Sequence, residues 1–121
     1  MRMLAIGAIL AIVVPLAAQA QEAGDAAAGE KAFAPCKACH NFQKNGVGPD
    51  LKGVVGRKAG TYEGYNYSAA LKNSGITWDE ANLHEWLKNP KTKVPGNKMI
   101  FQGIADDKKI NDVIAYLKSQ S

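Results

Sequence analysis

Cysteine, histidine and arginine are scarce in this chain of 121 residues, with two of each. Two thiols leave room for at most one disulfide, so a multiply bridged scaffold is excluded. Positive charge comes almost wholly from scattered lysines. No basic run interleaved with aromatics and no DNA-binding motif occurs, so nucleic acid is not an expected partner. Period-two alternation is missing and no internal repeat is present, which argues against strands and solenoids. The one long apolar run, Leu4 to Leu16, falls short of the ~20 residues that span a bilayer.

That run reads instead as an export leader. Arg2 gives it a positive start, and Ala18-Gln19-Ala20 places small residues at the spacing a signal peptidase cleaves. Cleavage is expected after Ala20, with residues 1–20 lost and 21–121 forming a single domain in the periplasm. Removing 20 of 121 residues leaves 101, and 14 basic side chains remain against 11 acidic ones, a mature charge of +3. A protein core of that size is modest, and a buried cofactor enlarges it.

Both cysteines fall in one pentapeptide, Cys36-Lys37-Ala38-Cys39-His40. Positions i and i+3 share a face of a helical turn, so two sulfurs can reach two neighbouring vinyl groups on one edge of a porphyrin. The next residue is an imidazole, a suitable ligand for iron when its second ring nitrogen is held by an acceptor. This is the spacing of c-type haem attachment. A dithiol redox pair or a structural disulfide also uses CxxC. The following histidine and the lack of strand-then-helix context weigh against both. Two thioethers are therefore expected at Cys36 and Cys39, with His40 on the iron.

Along the mature chain, Asp25 is a suitable cap for a helix over Ala26 to Ala34, which Pro35 stops. Ala26, Gly29 and Phe33 form a narrow stripe, and Gly29 suggests close approach of another backbone. Asn41 to Gly60 is glycine-rich and reads as a long structured loop, with Val47, Leu51, Val54 and Val55 as its apolar contacts. Arg57 is either surface decoration or a partner for a buried carboxylate, for example a haem propionate. Ser68 caps a short helix over Ala69 to Lys72. Thr77 and Glu80 form a capping box for a helix to Lys88, ended by Asn89-Pro90. His84 lies at the shoulder of its apolar face and reads as half-exposed. After a second irregular stretch, Asp106 and Asp107 open the clearest helix, with Ile110, Val113, Ile114 and Leu117 at i, i+3, i+4 and i+7. The expectation is an all-α domain with long loops.

Met99 is the sole methionine beyond the leader and lies 59 residues after His40, between Pro95-Gly96 and Ile100-Phe101. A lone methionine usually fills a core. Paired with CKACH, it becomes the expected second axial ligand, ahead of His84 and Lys98.

Taken together, these pieces resemble the class I c-type cytochromes, in particular bacterial cytochrome c2 and its mitochondrial relatives. Besides CKACH, the matching stretches are Gly29 with Phe33, Val47-Gly48-Pro49, the segment GVVGRKAG from Gly53 to Gly60, and Tyr67-Ser68. Gly75-Ile76-Thr77-Trp78, Leu87-Lys88-Asn89-Pro90, the segment PGNKMIF from Pro95 to Phe101, and Ala115-Tyr116-Leu117-Lys118 also match. The resemblance implies the class I fold, with first and last helices crossing at Gly29 and Phe33 and long loops wrapping one covalent haem c. It implies Cys36 and Cys39 as attachment points, His40 and Met99 as axial ligands, and the Pro49 carbonyl as acceptor for the His40 N–H. It also implies Arg57, Tyr67 and Trp78 around a propionate. The chain departs from relatives in a short loop after His40, in Trp86 where tyrosine is common, and in Leu71 where asparagine is common.

The implied function is a soluble one-electron carrier rather than an enzyme. It would be a monomer that docks transiently on membrane redox complexes: a quinol:cytochrome c oxidoreductase type donor, and an oxidase or photosynthetic reaction centre as acceptor. Lys37, Lys98, Lys91 and Lys93 are candidates for steering it to acidic patches. The competing class is a haem protein with an open sixth site acting as a peroxidase or gas sensor. A haem-free CxxC thiol oxidoreductase is the third.

Overall fold

The computed structural model describes residues 7–9, 11 and 24–121. The expected cleavage point after Ala20, and most of the leader, lie outside the described residues. Among the described residues there are five short α-helices and one 3-10 helix, and no strand beyond a single antiparallel bridge between Lys58 and Thr77. The all-α expectation holds.

Helix α1 (Ala26–Ala32) starts where Asp25 turns its carboxylate back onto the Ala27 and Ala28 N–H groups, at 2.9 and 3.4 Å. It is shorter than expected. Pro35 brings no N–H to continue the ladder, and the chain tightens into a 3-10 helix (Ala34–Ala38) that carries Cys36. Helix α2 (Ala69–Lys72) is capped by Ser68 Oγ on the Leu71 N–H, as read from the sequence.

Helix α3 (Glu80–Lys88) corrects one expectation: its cap is Asp79, whose Oδ1 takes the Asn82 N–H at 2.8 Å, and not Thr77. Thr77 is occupied in the bridge to Lys58, flanked by Trp78 N–H to Arg57 O at 2.8 Å and Ala59 N–H to Ile76 O at 2.7 Å. These bonds pin the 53–60 loop to the entry of α3. Pro90 ends α3 but also begins a further turn, α4 (Pro90–Lys93), because a proline fits the first helical position and Asn89 caps it.

Helix α5 (Asp107–Ser119) runs from its cap Asp106 and buries Ile110, Val113, Ile114, Tyr116 and Leu117. It packs on both α1 and α3. Against α1 the backbones touch: a Cβ on Gly29 would sit 1.9 Å from the Asp112 carbonyl oxygen and 2.9 Å from Tyr116 Cβ. Phe33, Phe42 and Tyr116 close this crossing, with ring centroids 5.4 to 5.7 Å apart. The crossing expected at Gly29 and Phe33 is therefore present.

Asp112 lies inside the same crossing, only 4% exposed. One oxygen accepts the Asp25 N–H at 2.8 Å and the other the Lys108 ammonium at 3.0 Å, so the carboxylate joins the start of α1 to α5. On the α3 side, His84 and Lys88 approach Asp107 at 3.4 and 3.0 Å, and Lys118 pairs with Glu80. His84 thus has a surface partner, in keeping with its half-exposed reading.

Candidate functional site

The core is hollow. A cavity of about 250 Å³ opens between the 3-10 helix, the two long loops, α3 and α5. The loops supply Gly48, Pro49, Leu51, Tyr67 and Met99. Leu83, Trp86 and Leu87 come from α3, and Val113 and Leu117 from α5. The same apolar stripes that build the helices therefore also face a space that side chains do not fill. Proteins of this size rarely leave so large a gap in their centre without a purpose.

Cys36, Cys39, His40 and Met99, expected from distant parts of the sequence, all line this one cavity. Both cysteines are unpaired, Cys36 half-buried and Cys39 exposed. Burial, and then the neighbouring Cys39 sulfur, push the Cys36 thiol above its ordinary pKa. That direction is opposite to the lowered pKa that activates the nucleophilic cysteine of a redox dithiol.

His40 is held by a short loop. Its Nδ1 donates to Pro49 O at 3.0 Å, which fixes the tautomer and leaves the lone pair on Nε2. Burial lowers its pKa below the usual histidine value, and the Pro49 bond opposes this more weakly. The ring is thus neutral at physiological pH, the form that binds metal. Gly48 lies flat against it: a Cβ there would come within 2.4 Å of His40 Cε1.

Met99 is positioned by Asn97. The Asn97 amide donates to Pro90 O at 3.0 Å and Val94 O at 2.8 Å, and its Oδ1 takes the Met99 N–H at 2.8 Å. One side chain therefore joins α4 to the segment bearing the sulfur. The sequence offered no sign of this, because Asn97 looks like any turn residue.

The expected surroundings are partly revised. Tyr67 and Trp78 are on the cavity wall, and Trp86 and Leu71 are there too, with Trp86 5.2 Å from Trp78. Arg57 is not on that wall. Its guanidinium donates to Asp50 O at 2.8 Å and Lys52 O at 3.2 Å, and lies 4.7 Å over the Tyr62 ring. The carboxylate it faces is Asp50, 2% exposed, which also accepts the Tyr62 hydroxyl at 3.2 Å. Arg57 has a buried carboxylate as neighbour, and it belongs to this chain. Of the apolar contacts expected from the glycine-rich loop, Val47 lines the cavity at its mouth, 76% exposed alongside Ile100 at 100%, while Val54 is buried.

The residues present fit a covalently attached haem. A mostly apolar cavity is lined by two free thiols, an imidazole whose Nδ1 is already engaged, and a thioether. No buried side-chain polar atom among the described residues lacks a partner. The cavity walls therefore ask for an apolar body, and polar demand is confined to the thiols, His40 and Met99.

Comparison with known proteins agrees. The family model for cytochrome c matches residues 26–121. A cytochrome c-554 from Methylosinus trichosporium is 53% identical over 118 residues, covering 95% of this chain and 89% of the relative. A cytochrome c2 from Blastochloris viridis is 50% identical over 113 residues, covering 91% and 85%. The solved structure of cytochrome cH from Methylobacterium extorquens superposes with a TM-score of 0.78 at 71% identity, covering 79% of this chain and 99% of that one.

Proposed function

From the premise that the chain belongs to the cytochrome c family, with its fold and its covalent haem c, we propose that it is a soluble one-electron carrier of the periplasm. It is an electron-transfer protein and not an enzyme. In this reading, Cys36 and Cys39 would hold the porphyrin through thioethers, and His40 and Met99 would ligate its iron. The observation that supports it best is the convergence of these four residues on one apolar cavity, with His40 already locked by Pro49. When bound, the haem supplies a reversible one-electron couple at its iron.

The residues of the chain make that couple fast and set its level. His40 is held by Pro49 and Gly48, and Met99 by Asn97, so neither side chain needs to move when charge changes. Leu71, Leu83, Trp86, Leu87, Val113 and Leu117 exclude water and disfavour added positive charge. A neutral thioether ligand acts in the same direction, so both raise the potential.

Exposed Val47 and Ile100 mark where the cavity meets the surface, and exposed Lys37 and Lys98 adjoin two cavity-lining residues, Cys36 and Met99. That arrangement suits brief docking on acidic patches of membrane redox complexes. The proposed donor is of the quinol:cytochrome c oxidoreductase type, and the acceptor an oxidase or photosynthetic reaction centre. The proposed form is a monomer of residues 21–121, exported and cleaved after Ala20.

Spectroelectrochemistry of the exported protein tests this. One reversible one-electron wave is expected, with the weak near-infrared band of sulfur ligation in the ferric state. Met99→Ala abolishes the band and lowers the potential. A ferric spectrum that is open-sited in the native protein overturns the ligand assignment and favours a peroxidase or sensor; one unchanged in Met99→Ala overturns it in favour of another ligand such as His84 or Lys98.

A further inference from the structure

The peptide that holds His40 is itself held. Pro49 O accepts the His40 Nδ1–H at 3.0 Å, and the N–H of the same peptide unit, on Asp50, donates to Asn45 Oδ1 at 2.9 Å. The other end of that amide, Asn45 Nδ2, donates to Glu63 O at 3.1 Å. A donor faces a carbonyl and an acceptor faces an N–H, so only one orientation of the Asn45 amide satisfies both. A second tie, Tyr65 OH to Val47 O at 2.7 Å, runs between the same two loops.

Asp50 has no other use for this N–H. It is almost wholly buried, and its carboxylate is taken up by the Lys52 N–H at 2.8 Å and the Tyr62 hydroxyl at 3.2 Å. The Asn45 side chain is thus the acceptor for a buried backbone donor that would otherwise have none.

We propose that Asn45 is a positioning residue for electron transfer: by accepting the Asp50 N–H it strengthens the Pro49 carbonyl as acceptor for His40, and so sets the electron density of the ring. The chain runs His40 Nδ1–H to Pro49 C=O, through the amide bond to Asp50 N–H, then to Asn45 Oδ1. Drawing on the N–H of an amide shifts electron density to its oxygen, so the two hydrogen bonds reinforce each other. A stronger acceptor on Nδ1–H makes the far nitrogen a better donor to iron, which favours the more positive Fe(III) state. The Glu63 link holds Asn45 in place but lies outside this relay. The inference rests on His40 being the axial ligand.

Three variants of the haem-loaded protein, compared by potentiometry and thermal melting, test it. Asn45→Ala removes both bonds. At a fixed applied potential its ratio of reduced to oxidised protein should rise about threefold, an upward shift of about 28 mV at 59 mV per decade for one electron. Asn45→Asp keeps an acceptor for Asp50 but loses the donor to Glu63. It should melt lower without any rise in potential, and its His40 Nδ1–H proton resonance in the reduced state should move downfield. If Asn45 were only a tie between loops, both variants would melt lower and their potentials would stay unchanged or rise together, which overturns the proposal. Should Asn45→Ala fail to fold, an unmoved His40 resonance in Asn45→Asp overturns it alone. The third variant, His40→Ala, separates the two levels: if it keeps the native spectrum, the ligand reading fails; if the spectrum is lost while Asn45→Ala leaves the potential unmoved, only the relay fails.

Discussion

Gly29 in α1 and Asp112 in α5 meet backbone to backbone, so closely that a Cβ on Gly29 would lie 1.9 Å from the Asp112 carbonyl oxygen. This contact fixes how the first and last helices cross. Through Phe33 and Val113 it also fixes one wall of the cavity.

Gly29→Ala therefore pits helix propensity against overlap. Alanine in a helix gains about 1 kcal/mol over glycine, whereas overpacking against atoms that cannot rotate away costs about 1–3 kcal/mol or more. Overlap with a backbone carbonyl belongs at the upper end of that range, so the variant should lose about 2 kcal/mol in a denaturant titration. A gain in stability would show that the helices slide apart at no cost.

Asp112 links this crossing to pH. The Asp25 N–H first, and the Lys108 ammonium next, hold its pKa below the usual carboxylate value, while burial opposes them. The stabilisation it gives is complete above its unfolded pKa of about 3.9 and is lost as pH falls through the lower folded value. Asp112→Asn should thus be less stable than the native protein at pH 7, with the gap closing in the acid range below about pH 4. Melting curves from pH 7 to pH 2 check this, and a gap independent of pH contradicts it.

The four candidate steering lysines are not equivalent. Lys93 is bound to Glu85 and to Asn82 Oδ1, with its side chain only 18% exposed, so it is a structural pair and not a free charge. Lys37 and Lys91 are exposed. Lys98 is exposed as well, although its ammonium reaches Asn66 O at 2.5 Å and lies 5.9 Å from the Tyr65 ring. Charge reversal at Lys37 or Lys98 should slow association with an acidic redox partner by about threefold at low salt, fading as ionic strength passes ~0.1 M. Stopped-flow rates that ignore both the charge and the salt reject steering.

What the sequence revealed depended on how local the signal was. The α5 stripe at Ile110, Val113, Ile114 and Leu117 and the Asp25 and Ser68 caps are written within a few turns, and each is present as read. Reading Met99 as a second ligand rested on CKACH at the other end of the chain, because nothing local tells a ligand methionine from a core one; the fold brings Met99 and His40 to one cavity. Asp112 was missed since its partner Asp25 lies 87 residues away, and only the helix crossing brings them together. Asn45 and Asp50 bond to each other only five residues apart, and were missed because an irregular loop has no periodicity from which to read its partners. Thr77 and Asp79 both suit a helix start, and the bridge to Lys58 decided between them.

The central claim is that Cys36 and Cys39 bind a porphyrin covalently in the assembled protein. Intact mass spectrometry of the exported chain under denaturing conditions tests it most directly. The account predicts residues 21–121 plus one iron porphyrin that survives unfolding, and loss of that added mass when both cysteines are replaced by alanine. A denatured chain weighing only its amino acids would contradict it.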